Sequence, residues 1–160
     1  MNTLEHADHE VVRASAREGP RLLRWALAFV FVWFGALKLL SERGPAEDLA
    51  GKTVHRMSGG RISEPRGIIA VGLLECAVGL ALLSGRMLRV TLAMMALHLL
   101  GASSPLVLFP RRCFRRPWAP TLEGHYIIKN IVLVTAGFEL VSRGRRSRSG
   151  PRSPSGRGMG

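Results

Sequence analysis

Cysteine is close to absent from this chain of 160 residues, which holds only Cys76 and Cys113. The two make no C-x-x-C pair and no metal-ligand spacing, which removes a thiol-disulfide redox motif and a sequence-local metal site. Cys76 sits in an apolar run and Cys113 in an arginine-rich loop, so no structural disulfide is expected. Acidic residues are scarce, 11 against 23 lysines and arginines, leaving a net charge of +12. A balance that basic points to nucleic acid or to an anionic membrane surface. No haem-ligand pair and no flavin-binding motif is visible. No cleaved secretory leader is expected either. Residues 1–20 carry Glu5, Asp8, Glu10 and Glu18, and no small-residue cleavage site follows the first apolar run. That run is expected to remain as a signal-anchor helix.

What the chain does have is long stretches almost free of charge. Seventeen residues separate Arg24 from Glu42, with Lys38 their one charge, and 19 separate Arg66 from Arg86, with Glu75 alone. Between Arg89 and Arg111 lie 21 residues with no formal charge and one histidine, His98. A fourth run of 17, between His125 and Arg143, holds Lys129 and Glu139. A spanning helix needs ~20 mostly apolar residues. Helices of soluble proteins show a polar face every turn, which Val90–Leu108 lacks. The sequence therefore predicts an all-α fold, a four-helix transmembrane bundle with spans near 22–41, 67–84, 88–108 and 126–142. Residues 1–20 read as a polar N-terminal segment and 21–141 as the membrane domain. Residues 143–160 form an Arg/Ser/Gly tail too polar to bury a core, and it is predicted to be disordered. PAEDLAGKTVHRM (45–57) predicts a short helix, and Ser84-Gly85 a tight turn between spans two and three.

Lysine and arginine set the orientation. With the N-terminus inside, the cytoplasmic segments hold 12 of them and the opposite side nine, so both termini are expected in the cytoplasm of a cell-membrane protein. The six tail arginines then stand just inside the last span, where each gains about 1 kcal/mol beside anionic lipid. A nucleic-acid tail would need a folded recognition module and interleaved aromatics, and neither is there. The expected partner is the lipid bilayer, with no nucleic acid. Arg111, Arg112, Arg115 and Arg116 run against the inside bias and are suited to headgroup phosphates or an anionic partner.

Several segments, taken in order, carry a resemblance: WFGALKLL (33–40), GPAEDLAGKTVHRM (44–57), GLLECAVGLALLSGR (72–86), PLVLFPRRCF (105–114) and above all PTLEGHYIIKNIVLVTAGF (120–138). Over about residues 21–141 the chain resembles the DoxX-type family of small bacterial membrane proteins. His125 departs from the pattern, standing where a glutamine is expected between the glycine and the tyrosine, and His98 likewise replaces a glutamine. The resemblance implies a four-span bundle in the cytoplasmic membrane. Some relatives are associated with thiosulfate oxidation feeding quinone and others with oxidative stress. It transfers no catalytic residue.

Function must then come from the polar positions themselves. At ~1.5 Å per residue, Lys38 and Lys129 lie about 4–5 Å below the outer boundary and Glu75 about 10 Å below it. A charge at a span's centre costs about 2.5–3.5 kcal/mol, so Glu75 must be paired, neutral or wetted. Glu75 flanks a small-residue stripe of Gly72, Cys76 and Gly79, the kind of face on which membrane helices meet. The sequence suggests a Lys38–Glu75–Lys129 cluster at the outer mouth of the bundle, with Asn130 available to hydrogen-bond across helices. The alternative has both lysines snorkelling to the headgroups and Glu75 protonated or bonded to backbone. His98, mid-span on a face with Gly101 and Pro105, is either a packing residue or a proton or ligand site.

Three functions fit this pattern. One is an accessory membrane subunit that docks to a partner and is linked to oxidative stress or redox metabolism. Another is a quinone-linked subunit of an oxidoreductase, with Glu75, His98 and Lys129 around the quinone head and a redox partner protein supplying electrons. The last is a small transporter, which four short helices could line only as a homo-oligomer. No catalytic constellation and no metal site is legible, and quinone is the one cofactor suggested.

Overall fold

The computed structural model describes residues 3–40 and 44–146. It is mostly helical, with three helical stretches long and apolar enough to cross a membrane: Asp8–Leu40, Glu64–Ser84 and Leu88–Leu108. In chain order the elements are α1 (Thr3–Leu40), α2 (Pro45–Met57), α3 (Glu64–Ser84), α4 (Leu88–Ser103), α5 (Pro105–Leu108), α6 (Pro110–Cys113), β1 (Phe114–Arg116), β2 (Ala119–Pro120) and α7 (Leu122–Arg146). α7 has 25 residues, enough for a span by length, but Lys129, Asn130 and Glu139 thin its apolar content.

The polar N-terminal segment is not a separate element. α1 is a single helix of 38 residues, ~57 Å long at 1.5 Å per residue, roughly twice the hydrocarbon thickness of a bilayer. Pro20 lies inside it and removes the hydrogen bond to the carbonyl of Ala16, in an exposed stretch where water can replace the donor. At the other end the predicted basic tail begins within α7, which continues to Arg146. Residues 147–160 lie outside the described residues.

Sequence explains where the elements stop. Gly85 adopts a left-handed conformation (φ 64°), and its N–H donates to the carbonyls of Ala81 and Leu82, closing α3 and turning the chain into α4. The third apolar run breaks between α4 and α5, because Pro105 has no N–H to give the carbonyl of Gly101. The Ser104 hydroxyl takes that acceptor instead, at 2.6 Å. α2 opens on Pro45 at its first turn, with Glu47 and Asp48 early and His55 and Arg56 late, complementing the helix dipole at both ends.

α1 and α3 pack almost backbone to backbone. A Cβ at Gly79 would stand 2.8 Å from the Val32 nitrogen, and one at Gly35 2.8 Å from the Gly72 carbonyl oxygen. The small-residue stripe of α3 is thus the seat of α1. A central apolar cluster draws on four helices: Leu27 and Phe31 of α1, Val78 and Leu82 of α3, Met95 of α4 and Leu140 of α7. A second, smaller cluster at one end joins Leu49 of α2, Cys113 of α6 and Ile127 of α7. There α2, α6 and the short β1–β2 hairpin form a cap, pinned by Asp48, which accepts from Lys52 at 2.6 Å and from Arg112 at 3.0 Å.

Candidate functional site

Glu75 is the centre of a polar network inside the apolar fold. Its Oε2 accepts from Lys38 Nζ at 2.7 Å, and its Oε1 lies 3.1 Å from His98 Nε2. The three side chains are 11%, 13% and 7% exposed, so the network is largely buried. α3 supplies Glu75, α1 supplies Lys38 and α4 supplies His98. The α3–α4 turn sets the level of two of them. Glu75 lies ten residues before Gly85 and His98 eleven after Met87, so antiparallel helices of equal rise bring them side by side. Phe31 meets the His98 ring edge-on at 5.8 Å, and Lys38 is also 5.9 Å from the Phe34 ring.

The structure therefore joins Lys38 to Glu75 and adds His98 to them. Lys129 stands apart, exposed, with its ammonium 5.4 Å from the Tyr126 ring centroid. No hydrogen bond or ion pair links it to Glu75 among the described residues. Asn130 is half-buried beside it. Sequence reasoning treated His98 as a lone residue, although counting outward from the Ser84-Gly85 turn would have set it level with Glu75.

All five residues line one cavity of about 1170 Å³. Its walls are apolar, with Phe31, Leu74 and Leu133 inside, while α2 contributes Leu49, Ala50 and Thr53 on one side. Leu97 and Val132 line it and are also 72% and 67% exposed, so they mark a rim opening sideways between α4 and α7. Ligand sites commonly enclose about 300–1,000 Å³ with a few placed polar groups, and this cavity is somewhat larger.

The network leaves specific hydrogen-bonding capacity over. Lys38 has three N–H donors, one spent on Glu75 and one aimed at the Phe34 carbonyl at 3.5 Å. With Glu75 as an ionised acceptor and the His98 ring neutral, the tautomer that satisfies their contact puts the proton on Nε2 and leaves Nδ1 as an acceptor. Nδ1 has no partner among the described residues, and no buried side-chain nitrogen there lacks one, so Nδ1 is open to the cavity. A guest with a polar head could thus both accept from Lys38 and donate to His98. No group of three His, Cys, Asp or Glu among the described residues is arranged to hold a metal ion.

At the capped end, hydrogen bonds from Lys52 and then Arg112 hold the Asp48 carboxyl below the usual carboxylate range, against partial burial. Burial raises the Cys113 thiol, and Glu123 adds to the shift. Its Sγ lies 3.4 Å from the Pro105 carbonyl oxygen.

Fold and site together define a helical membrane protein with a laterally open, apolar-walled cavity around a buried Lys–Glu–His network. No protein-family model, curated protein or solved structure matches the chain.

Proposed function

We propose that this chain is a four-span protein of the cytoplasmic membrane, of DoxX-like type, that binds the polar head of a quinone-class lipid in this cavity. It would serve as the membrane subunit of a redox system whose soluble partner supplies the electrons. One observation carries the proposal: a buried Lys38–Glu75–His98 network facing an apolar cavity that opens toward the lipid side of α4 and α7. A lipid-soluble carrier can reach such a site without crossing water, and its chain matches the apolar walls. Lys38 gives a head-group carbonyl a hydrogen bond. His98 Nδ1 accepts from a head-group hydroxyl, so the same pair of residues reads both the oxidised and the reduced head.

Support for the fourth span comes from α7, which is long enough and buries Leu140 among residues of the three apolar helices. The excess of lysine and arginine on the side of the N-terminus favours cytoplasmic termini. The accessory-subunit function linked to oxidative stress is compatible with the same site, and the exposed Trp118 on the β1–β2 hairpin beside Arg115 and Arg116 suits a docking partner.

The test is extraction of quinone from the detergent-purified chain. Close to one quinone per chain is expected, falling at least about tenfold in Glu75→Gln and His98→Ala while both variants stay monodisperse. Purified wild-type protein that neither retains quinone nor takes it up from mixed micelles would end the proposal.

A further inference from the structure

A second groove lies between α4 and α7 at the end away from the cap. It encloses about 330 Å³ and is walled by Leu92, Ala93 and Ala96 of α4 and by Val134, Gly137 and Phe138 of α7. Small side chains make it a groove rather than a packed seam. Met95 forms its floor at Gly137, where any Cβ would strike the Met95 methyl group. At the end of this apolar channel stands Arg89, exposed and without an ion pair or hydrogen bond among the described residues. Glu139, on the neighbouring stretch of α7, is already engaged and accepts from Ser142. Two further cations share this level: Arg86 is exposed in the α3–α4 turn, and the Arg24 guanidinium lies against Gly85 of that turn.

We infer that this groove binds one acyl chain of an anionic glycerophospholipid, with the lipid phosphate on Arg89. Length and charge both fit. From Arg89 to Ala96 is seven residues, ~10 Å along the helix, and half of a hydrocarbon core of ~30 Å is about 15 Å. A chain whose phosphate sits at Arg89 therefore lies in the groove for most of one leaflet. A guanidinium binds phosphate oxygens through two parallel N–H donors. The surplus of arginines at this level favours a headgroup of net negative charge over a choline ester, whose own cation they repel. The inference is separate from the quinone site, since it shares no residue with the cavity.

The test uses full-length protein stripped of lipid in detergent, then given dioleoyl phosphatidylglycerol or dioleoyl phosphatidylcholine and weighed by native mass spectrometry. One phosphatidylglycerol per chain is expected at least about tenfold more tightly than phosphatidylcholine. Arg89→Gln should lower that retention about tenfold. Ala93→Leu fills the groove on a lipid-facing side, keeps every charge and should lower it as far. Arg86→Gln, the same charge change outside the groove, should stay within about twofold of wild type. Equal retention of the two lipids would overturn the site. So would Ala93→Leu behaving as wild type, or Arg86→Gln costing as much as Arg89→Gln, because binding would then be diffuse attraction to any surface arginine.

Discussion

Replacing Glu75 by leucine withdraws one carboxylate from two buried donors at once. Lys38 loses its 2.7 Å partner and keeps only the Phe34 carbonyl at 3.5 Å, while His98 loses its 3.1 Å contact. Removing one member of a buried ion pair costs about 3–5 kcal/mol, because the other charge is left without compensation. With Lys38 13% exposed, the partial escape of its ammonium toward the rim places the expected loss near the lower end, about 3 kcal/mol. Lys38→Met alone strands the carboxylate with His98 as its one remaining donor and should cost about the same. The double variant Lys38→Met/Glu75→Leu removes both charges and fills the space with apolar atoms. It should recover most of the loss, since apolar replacement of a whole buried pair is often neutral or stabilising, and the His98 N–H left without its acceptor should hold it about 1–2 kcal/mol below wild type. Unfolding of the detergent-solubilised protein by titration with a denaturing detergent, followed by circular dichroism, reads all four corners of this cycle. A coupling energy of at least about 2 kcal/mol is expected. Additive losses in the double variant would mean that Lys38 and Glu75 do not act as a pair, and the network would lose its physical basis.

Other parts of the fold make their own demands. The Asp48 carboxyl has a depressed pKa, so its ties to Lys52 and Arg112 contribute stability above the unfolded value of about 3.9 and lose it as pH falls through the lower folded value. With Asp48 40% exposed, hydrogen-exchange protection factors in α6 and the hairpin, taken relative to the intrinsic rate at each pH, should fall between pH 6 and pH 3 by an amount reflecting no more than about 1 kcal/mol, and Asp48→Asn should abolish the difference. Gly79→Ala drives a methyl group into the Val32 nitrogen and the Ala28 carbonyl and should destabilise the fold by about 1–3 kcal/mol. Gly101→Ala meets nothing within 4 Å and should instead raise stability by about 0.5–1 kcal/mol in the same detergent titration. Cys113 is fully buried with its thiol pKa raised, so it should resist maleimide in the folded protein and react once the cap is unfolded; labelling at the native rate of a free thiol would contradict the packing of α6.

Hydrophobic patterning made the helices legible because lipid-facing segments have no need of a polar stripe. The runs bracketed by Arg66 and Arg86 and by Arg89 and Arg111 became α3 and the α4–α5 pair, and PAEDLAGKTVHRM became α2 with its boundaries intact. The extent of α1 was not legible, since residues 3–20 are polar and their helicity continues that of the apolar stretch beyond Pro20. The cap was also out of reach. Asp48 and Arg112 are 64 residues apart, and nothing local in either segment announces the other. The polar site was half legible. Glu75 and Lys38 each stand out as the one charge of an apolar run, but partner choice depends on helix rotation, which a depth map leaves undetermined. Depth alone grouped Lys38 with Lys129. Rotation turned His98 toward Glu75 and left Lys129 against Tyr126.

A buried ion pair with a histidine is a poor way to hold helices together, because apolar side chains of equal volume would do so at least as well. α1 and α3 already meet through glycine contacts tight enough to bring backbone atoms together, so their association does not depend on Lys38 and Glu75. The network also faces a cavity instead of filling it, which forgoes the packing that leucine or phenylalanine would supply there. An ionisable group kept inside a membrane under those conditions is most simply kept for what it binds or for the protons it exchanges. Lys38→Met/Glu75→Leu separates the two roles. A variant that keeps most of the wild-type stability and no longer retains quinone assigns the network to the ligand, whereas one that folds poorly assigns it to the helices.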